Sequence, residues 1–219
     1  MVMGVEFRDR VDAGRQLAAK LRSYPLDDPI VVGLPRGGVP VAAEVARALG
    51  APLDVLVVRK LGVPGHEELG FGAIGEDDVT VVDRHMTADL RMSESQIAAV
   101  EFAERERLAE RVARYRADHL FVPLAGHDVV VVDDGVATGG TARAGAQVAR
   151  HHGATRVILA VPVGSPPALN ALRADYDEVI SVLAPSRMYA VGEWYDDFSP
   201  TTDDDVMAIL SATRTTERG

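Results

Sequence analysis

The sequence predicts an α/β fold: a mostly parallel sheet flanked by helices, with a small C-terminal flap. Three observations lead there. Short runs that are apolar throughout, such as Ile30-Val-Val-Gly-Leu34 and Val129-Val-Val-Val132, alternate with segments of helical periodicity. Such runs have the length of buried strands, roughly 4–8 residues. With 47% apolar and 26% charged residues the chain has globular composition, and no apolar run approaches the roughly 18–20 residues that span a bilayer.

Taken in order, Arg8 to Leu21 reads as a helix, with Val11, Leu17, Ala18 and Leu21 at helical spacing and Pro25 beyond its end. Ile30 to Leu34 is a strand, and Val39 to Leu49 a helix closed by Gly50. Leu53 to Val58 is the next strand, with Asp54 its only charge. Leu61 to Asp78 is glycine-rich and reads as irregular, and Val79 to Val82 as a short strand. Ser93 to Asp118 is a long helix with Ile97, Val100, Leu108, Val112 and Tyr115 on one face. Glu101–Arg105 and Glu110–Arg114 are its expected supporting pairs. Asp128 to Val132, Arg156 to Val161 and Glu178 to Leu183 are further strands, and the helices between them begin near Thr141 and Pro166. No repeat, low-complexity segment or linker divides the chain. One domain over 1–219 is expected, with an active-site loop and helical insert at 60–123 and a flap, or hood, at 183–200.

Charge and composition narrow the function. The chain has 23 basic and 33 acidic residues, net −10, which argues against broad nucleic-acid binding because phosphate backbones need a basic footprint. A single phosphate can still be held by backbone amides and a few cations. The absence of cysteine excludes disulfides, thiolate metal sites and thiol nucleophiles. The N-terminal residues lack the layout of a signal peptide, so a cytoplasmic protein without a membrane partner is expected.

The most informative stretch is Val129-Val-Val-Val-Asp-Asp-Gly-Val-Ala-Thr-Gly-Gly-Thr141. A buried strand runs into two carboxylates, a Gly/Thr loop and a helix. The loop amides and helix N-terminus suit a phosphate monoester, with hydroxyl donors from Thr138 and Thr141. Asp133 and Asp134 can accept hydrogen bonds from neighbouring hydroxyls, so a sugar phosphate fits. Two other patterns are decoys. Gly70-Phe-Gly-Ala-Ile-Gly75 spells a dinucleotide fingerprint, but it lacks the strand before and the helix after, and reads as part of a loop over the site. The six histidines lack metal-ligand spacing, and no residue set marks a protein metal site.

Asp133 to Thr141 resembles the signature of the type I phosphoribosyltransferases, which bind 5-phosphoribosyl-1-diphosphate. The resemblance implies that Asp133 and Asp134 act at the ribose, and that Gly135, Ala137, Thr138, Gly139, Gly140 and Thr141 surround the 5-phosphate. Gly33-Leu-Pro-Arg-Gly-Gly38 is similar to the family's diphosphate loop, which implies roles for Arg36, Gly37 and Gly38 and a strained or cis peptide near Arg36-Gly37. Val57-Val-Arg-Lys60 resembles the next element, whose basic side chain, Arg59 or Lys60 here, meets the diphosphate. Mg²⁺ is the implied cofactor and a homodimer the default assembly.

The implied activity is transfer of the phosphoribosyl group to a nitrogenous base, a purine-like acceptor being favoured. The alternative is a non-catalytic sensor of the same donor. Ala137 departs from the family members that act on 6-oxopurines, which carry an aspartate there, and matches the adenine-type signature. That type uses a loop glutamate at the base, for which Glu67, Glu68 and Glu76 are candidates. Val191-Gly-Glu-Trp-Tyr-Asp-Asp-Phe198 resembles the hood over the base, which implies that Trp194 or Tyr195 stacks and that Asp197 or Asp196 accepts from an amine. Tyr189 is a further stacking candidate.

Overall fold

The computed structural model describes residues 6–216. Helix α1 is Arg10–Leu21, capped by the Asp9 side chain, which accepts from the Asp12 amide. Strand β1 is Pro29–Gly33 and α2 is Gly38–Leu49; Gly50 closes α2 at φ 65°, a conformation that glycine adopts without strain. Next come β2 (Leu53–Val55), β3 (Val58–Val63), β4 (His66–Gly75) and β5 (Thr80–Val82). The short α3 (Arg84–Asp89) precedes the long α4 (Glu94–Arg116), which starts at a capping box made by Ser93 and Gln96. Then follow β6 (Asp128–Val132), α5 (Gly140–His151), β7 (Arg156–Val163), α6 (Pro166–Leu172) and β8 (Glu178–Leu183). A 3₁₀ turn at Val191–Trp194 and α7 (Asp203–Thr216) come last.

The expected parallel sheet is present, with strand order β2-β1-β6-β7-β8. All its ladders are parallel and in simple register, for example Val31 opposite Val130 and Val130 opposite Ile158. Both faces are covered, so the strands carry no polar face. Val31, Val130 and Ile158 pack with Leu17, Leu21, Val41 and Val45 of α1 and α2. Their neighbours Val32, Val129, Val131 and Leu159 pack with Ala146, Val148 and Ala149 of α5.

The segment read as irregular is instead ordered: β3, β4 and β5 form a separate antiparallel sheet. Its glycines mark close approach rather than loops. A β-carbon on Gly72 would collide with the Val81 carbonyl, and one on Gly75 would stand 2.5 Å from Val148 of α5. Gly70 to Gly75 is therefore part of strand β4, not of a loop over the site. The run Leu53 to Val58 is also divided, because the chain leaves the parallel sheet after Val55 and enters the second one at Val58. Arg105 and Arg114 pair with Asp78 and with Asp203 and Asp204, rather than along their own helix.

The C-terminal end of α4 is bound to β2 through charge. Asp54, fully buried, receives Arg116 Nη1 at 2.7 Å and the Val122 amide at 2.9 Å, with His119 Nε2 at 3.1 Å. Arg116 also donates to both oxygens of Glu76. Burial pushes the Asp54 carboxyl up, but His119, Arg116 and the Val122 amide outweigh it and hold the group below its ordinary range.

Candidate active site

Strand β6 delivers the acidic pair to the carboxyl edge of the sheet, where ligands of parallel α/β folds bind. The Leu34 amide donates to the Val132 carbonyl at 2.8 Å, which holds the loop after β1 beside the end of β6. That loop has a cis peptide at Pro35–Arg36, one residue before the expected position. Its two glycines abut the acidic pair. A β-carbon on Gly37 would collide with Oδ2 of Asp134, and one on Gly38 would stand 2.5 Å from the Val132 carbonyl and 3.2 Å from Oδ1 of Asp133.

Past the pair, Val136 bridges to Gly164 and the Ser165 hydroxyl donates to the Ala137 carbonyl at 2.8 Å. These contacts fix the loop that leads to Gly139, which takes φ 85° and starts α5. Gly135 lies under Val191 of the hood. Ala137, Thr138 and Thr141 are exposed. Thr138, Gly139 and Gly140 line a cleft of about 350 Å³ with Lys60 and Arg143. A larger cleft, of about 710 Å³, is lined by Pro35, Arg59, Lys60, Thr141 and, from α4, Arg107 and Arg111. Lys60 is common to both and lies against Gly140, where a β-carbon would stand 2.9 Å from its Cδ. Arg59 carries a carboxylate partner, Glu104 of α4, at 2.6–2.7 Å. Arg36 is exposed.

The two carboxylates have different surroundings. Burial, and then the charge of Asp134, pushes the Asp133 carboxyl well above the usual range. Burial pushes Asp134 up too, against the opposing charge and hydrogen bond of Arg10. The Nε and Nη2 atoms of Arg10 both lie 2.8 Å from Oδ2 of Asp134. The sequence reading missed Arg10, because it lies 124 residues from its partner. No local signal marked it, since Asp9 and Asp12 beside it already supply the carboxylates that a helix start favours.

The hood differs from expectation. Trp194 and Tyr195 are 7% and 5% exposed and pack with Phe7, Ala13 and Val163 in a core of their own. Tyr195 donates its hydroxyl to the Asp134 carbonyl at 2.5 Å, and its ring lies 5.3 Å from Phe7 and 4.9 Å from Phe198. Neither ring is free to stack on a ligand in this arrangement. The pattern misled because an aromatic pair signals a core as readily as a binding face. Asp197 is turned to its own loop, accepting from the amide and hydroxyl of Ser199. Asp196 is exposed, and Tyr189 keeps an open ring at 83% exposure. Of the glutamates, Glu76 is buried on Arg116 and unavailable to a base, whereas Glu67 is exposed and lines the larger cleft. The Glu68 side chain lies outside the described residues.

Comparison with known proteins defines the family and the fold. The family model of the phosphoribosyl transferase domain matches residues 6–193, and the chain belongs to that family. It is 51% identical over 205 residues to a Mycobacterium tuberculosis protein provisionally assigned as a phosphoribosyl transferase, a match covering 93% of this chain and 46% of that protein. The chain thus spans about half the length of the curated relatives it matches. Its fold is close to the crystal structure of TT1426 from Thermus thermophilus, at 45% identity and TM-score 0.88, over 94% of this chain and 97% of that one. A ribose-phosphate pyrophosphokinase of Prochlorococcus marinus is 34% identical over 119 residues, 51% of this chain and 35% of its own length.

Proposed function

We propose that this chain transfers the 5-phosphoribosyl group of 5-phosphoribosyl-1-diphosphate to a nitrogenous base and releases diphosphate. The observation that carries the reading is the convergence of three parts at one sheet edge: the acidic pair, the Gly37-Gly38 loop against it, and the Ala137–Thr141 loop opening α5. A phosphate fits the amides of the second loop, the sugar hydroxyls fit the carboxylates, and the diphosphate falls toward Arg36, Arg59 and Lys60.

The chemistry matches that layout. Breaking the bond from C1 of the ribose to diphosphate leaves positive charge on the sugar and negative charge on the leaving group. Carboxylates beside the sugar and cations beside the diphosphate stabilise both, and the loops hold the reactants in line. Magnesium would neutralise diphosphate charge when bound. No group of three His, Cys, Asp or Glu able to hold a metal occurs among the described residues. A cation here would thus take most of its oxygens from the donor, as Mg²⁺ often does with phosphates.

The acceptor is read as purine-like. Alanine at 137 offers no group to the N7 proton of a 6-oxopurine, which favours adenine or another amino-bearing heterocycle. With Trp194 and Tyr195 buried, Tyr189 is the aromatic ring left for stacking, and Glu67 the described candidate for the base proton. The test is diphosphate release from the magnesium salt of the donor with a panel of bases. Release with adenine exceeding that with hypoxanthine supports the reading. Preference for hypoxanthine overturns the acceptor assignment, and donor binding without release from any base points to a sensor.

A further inference from the structure

Arg10 stands at the crossing of three elements. From the first turn of α1 it reaches Oδ2 of Asp134 with two nitrogens at 2.8 Å, and its Nη1 donates to the Ser199 carbonyl at 2.7 Å. The guanidinium lies over the Phe198 ring, 3.9 Å from its centroid. Its side chain and that of Asp134 are 11% and 14% exposed, so water screens the pair little. The backbone of the same region is tied down as well. The amides of Asp196 and Asp197 donate to the carbonyls of Phe7 and Arg8, and the Phe7 amide donates to the Trp194 carbonyl.

We propose that Arg10 is a positioning residue for the acidic pair: it holds one oxygen of Asp134, so that the other oxygen and the Asp133 carboxylate are presented together to the vicinal hydroxyls of the donor's ribose, and it joins that geometry to the hood. The inference rests on the proposed function. Two adjacent carboxylates repel, and without a fixed cation one of them would turn away or take up a proton. The fork of an arginine fixes both charge and direction, whereas a lysine would supply charge alone. The burial that pushes both carboxyls upward makes the cation matter more, since Arg10 opposes that rise in each.

The groups facing the pair, among the described residues, are few. They are the two carboxylates themselves, Arg10 from α1, Tyr195 from the hood and Tyr176 from the turn before β8; Asp197 faces Arg10 in turn. Both tyrosines are held above their ordinary range, chiefly by burial, and stay neutral under ordinary conditions. The carboxyls are then what titrates when the donor binds on the acid side.

The experiment is calorimetric titration of the magnesium salt of 5-phosphoribosyl-1-diphosphate into the full chain, from about pH 5 to pH 8, compared with Arg10→Gln, Arg10→Lys and Phe198→Leu. Thermal melts establish that each variant is folded. The donor's own ionisations are common to all arms and cancel in the comparison. Arg10→Gln is expected to raise Kd roughly 10- to 100-fold at pH 7, as loss of a charged hydrogen-bond partner does. It should also move the acid limb of binding to higher pH, because a carboxyl that has lost its cation ionises later. Arg10→Lys should keep the acid limb close to that of the unaltered chain yet lose affinity. Phe198→Leu should weaken binding less than about 10-fold, with the acid limb unmoved.

An acid limb equal in Arg10→Gln and the unaltered chain would overturn the inference, even if affinity fell, because a merely structural residue would behave that way. Should the glutamine variant not fold, full affinity in Arg10→Lys would overturn it instead. A chain that binds no donor at any pH would overturn the proposed function and this inference together.

Discussion

At the scale of single residues, Asp133 and Asp134 stand in different surroundings. Asp134 is spoken for by Arg10, while the hydrogen bond that Asp133 Oδ1 receives comes from the neighbouring amide at 2.9 Å. Asp133→Asn should therefore lower turnover on the order of 10²–10³-fold, as removal of a transition-state contact does. It should spare the melting temperature, because an upward-shifted carboxyl is not a stabilising charge; steady-state kinetics and a melt on one preparation check both. Asp54 is the opposite case. Its carboxyl is held down, so the ionised form contributes stability that is present above the ordinary carboxylate pKa and lost as pH falls through the depressed one. Unfolding below about pH 4 should thus be less steep in Asp54→Asn than in the unaltered chain, although that variant is less stable at pH 7. Equal acid sensitivity in the two would contradict the assignment.

At the scale of elements, the hood is a folded corner rather than an aromatic lid. Trp194 is in contact with the N-terminal segment through a core that includes Phe7, Ala13 and Val163. Trp194→Ala is expected to cost about 3–5 kcal/mol of stability, the range for truncating a large buried aromatic. Urea unfolding would show this; an unchanged midpoint with weakened base binding would restore the stacking role. The strands of the parallel sheet were legible because burial on both faces leaves a continuous apolar signature, as in Val129 to Val132. The antiparallel sheet was not, because its glycines at 62, 70, 72 and 75 are there to admit neighbouring atoms and carry the composition of a loop. Helix α7 also escaped notice: Thr202 and Asp205 make an N-terminal cap, but nothing in the preceding flap announced it. In the site, contiguous segments such as Asp133 to Thr141 were readable. Contributions from afar, Arg10 and the α4 arginines, were not, since each sits on a helix whose local sequence is ordinary.

At the scale of the whole molecule, the parallel sheet presents the acidic pair and both loops at one edge, and α4 walls the larger cleft with Arg107, Arg111 and Glu104. The larger cleft does not include Asp133 or Asp134, so a donor would have to span from the sheet edge toward α4, with Lys60 between. A bound anion should be found against the amides of Ala137 to Thr141 even without the donor, and crystals grown in sulfate would reveal it. The most direct measurement is a crystal structure with the magnesium salt of 5-phosphoribosyl-1-diphosphate bound. The expected result is the 5-phosphate on the Ala137–Thr141 amides, the ribose hydroxyls on Asp133 and on the Asp134 oxygen not held by Arg10, and the diphosphate toward Arg36 and Lys60. Density for the donor elsewhere, or a loop left empty beside an unaltered acidic pair at saturating donor, would contradict it.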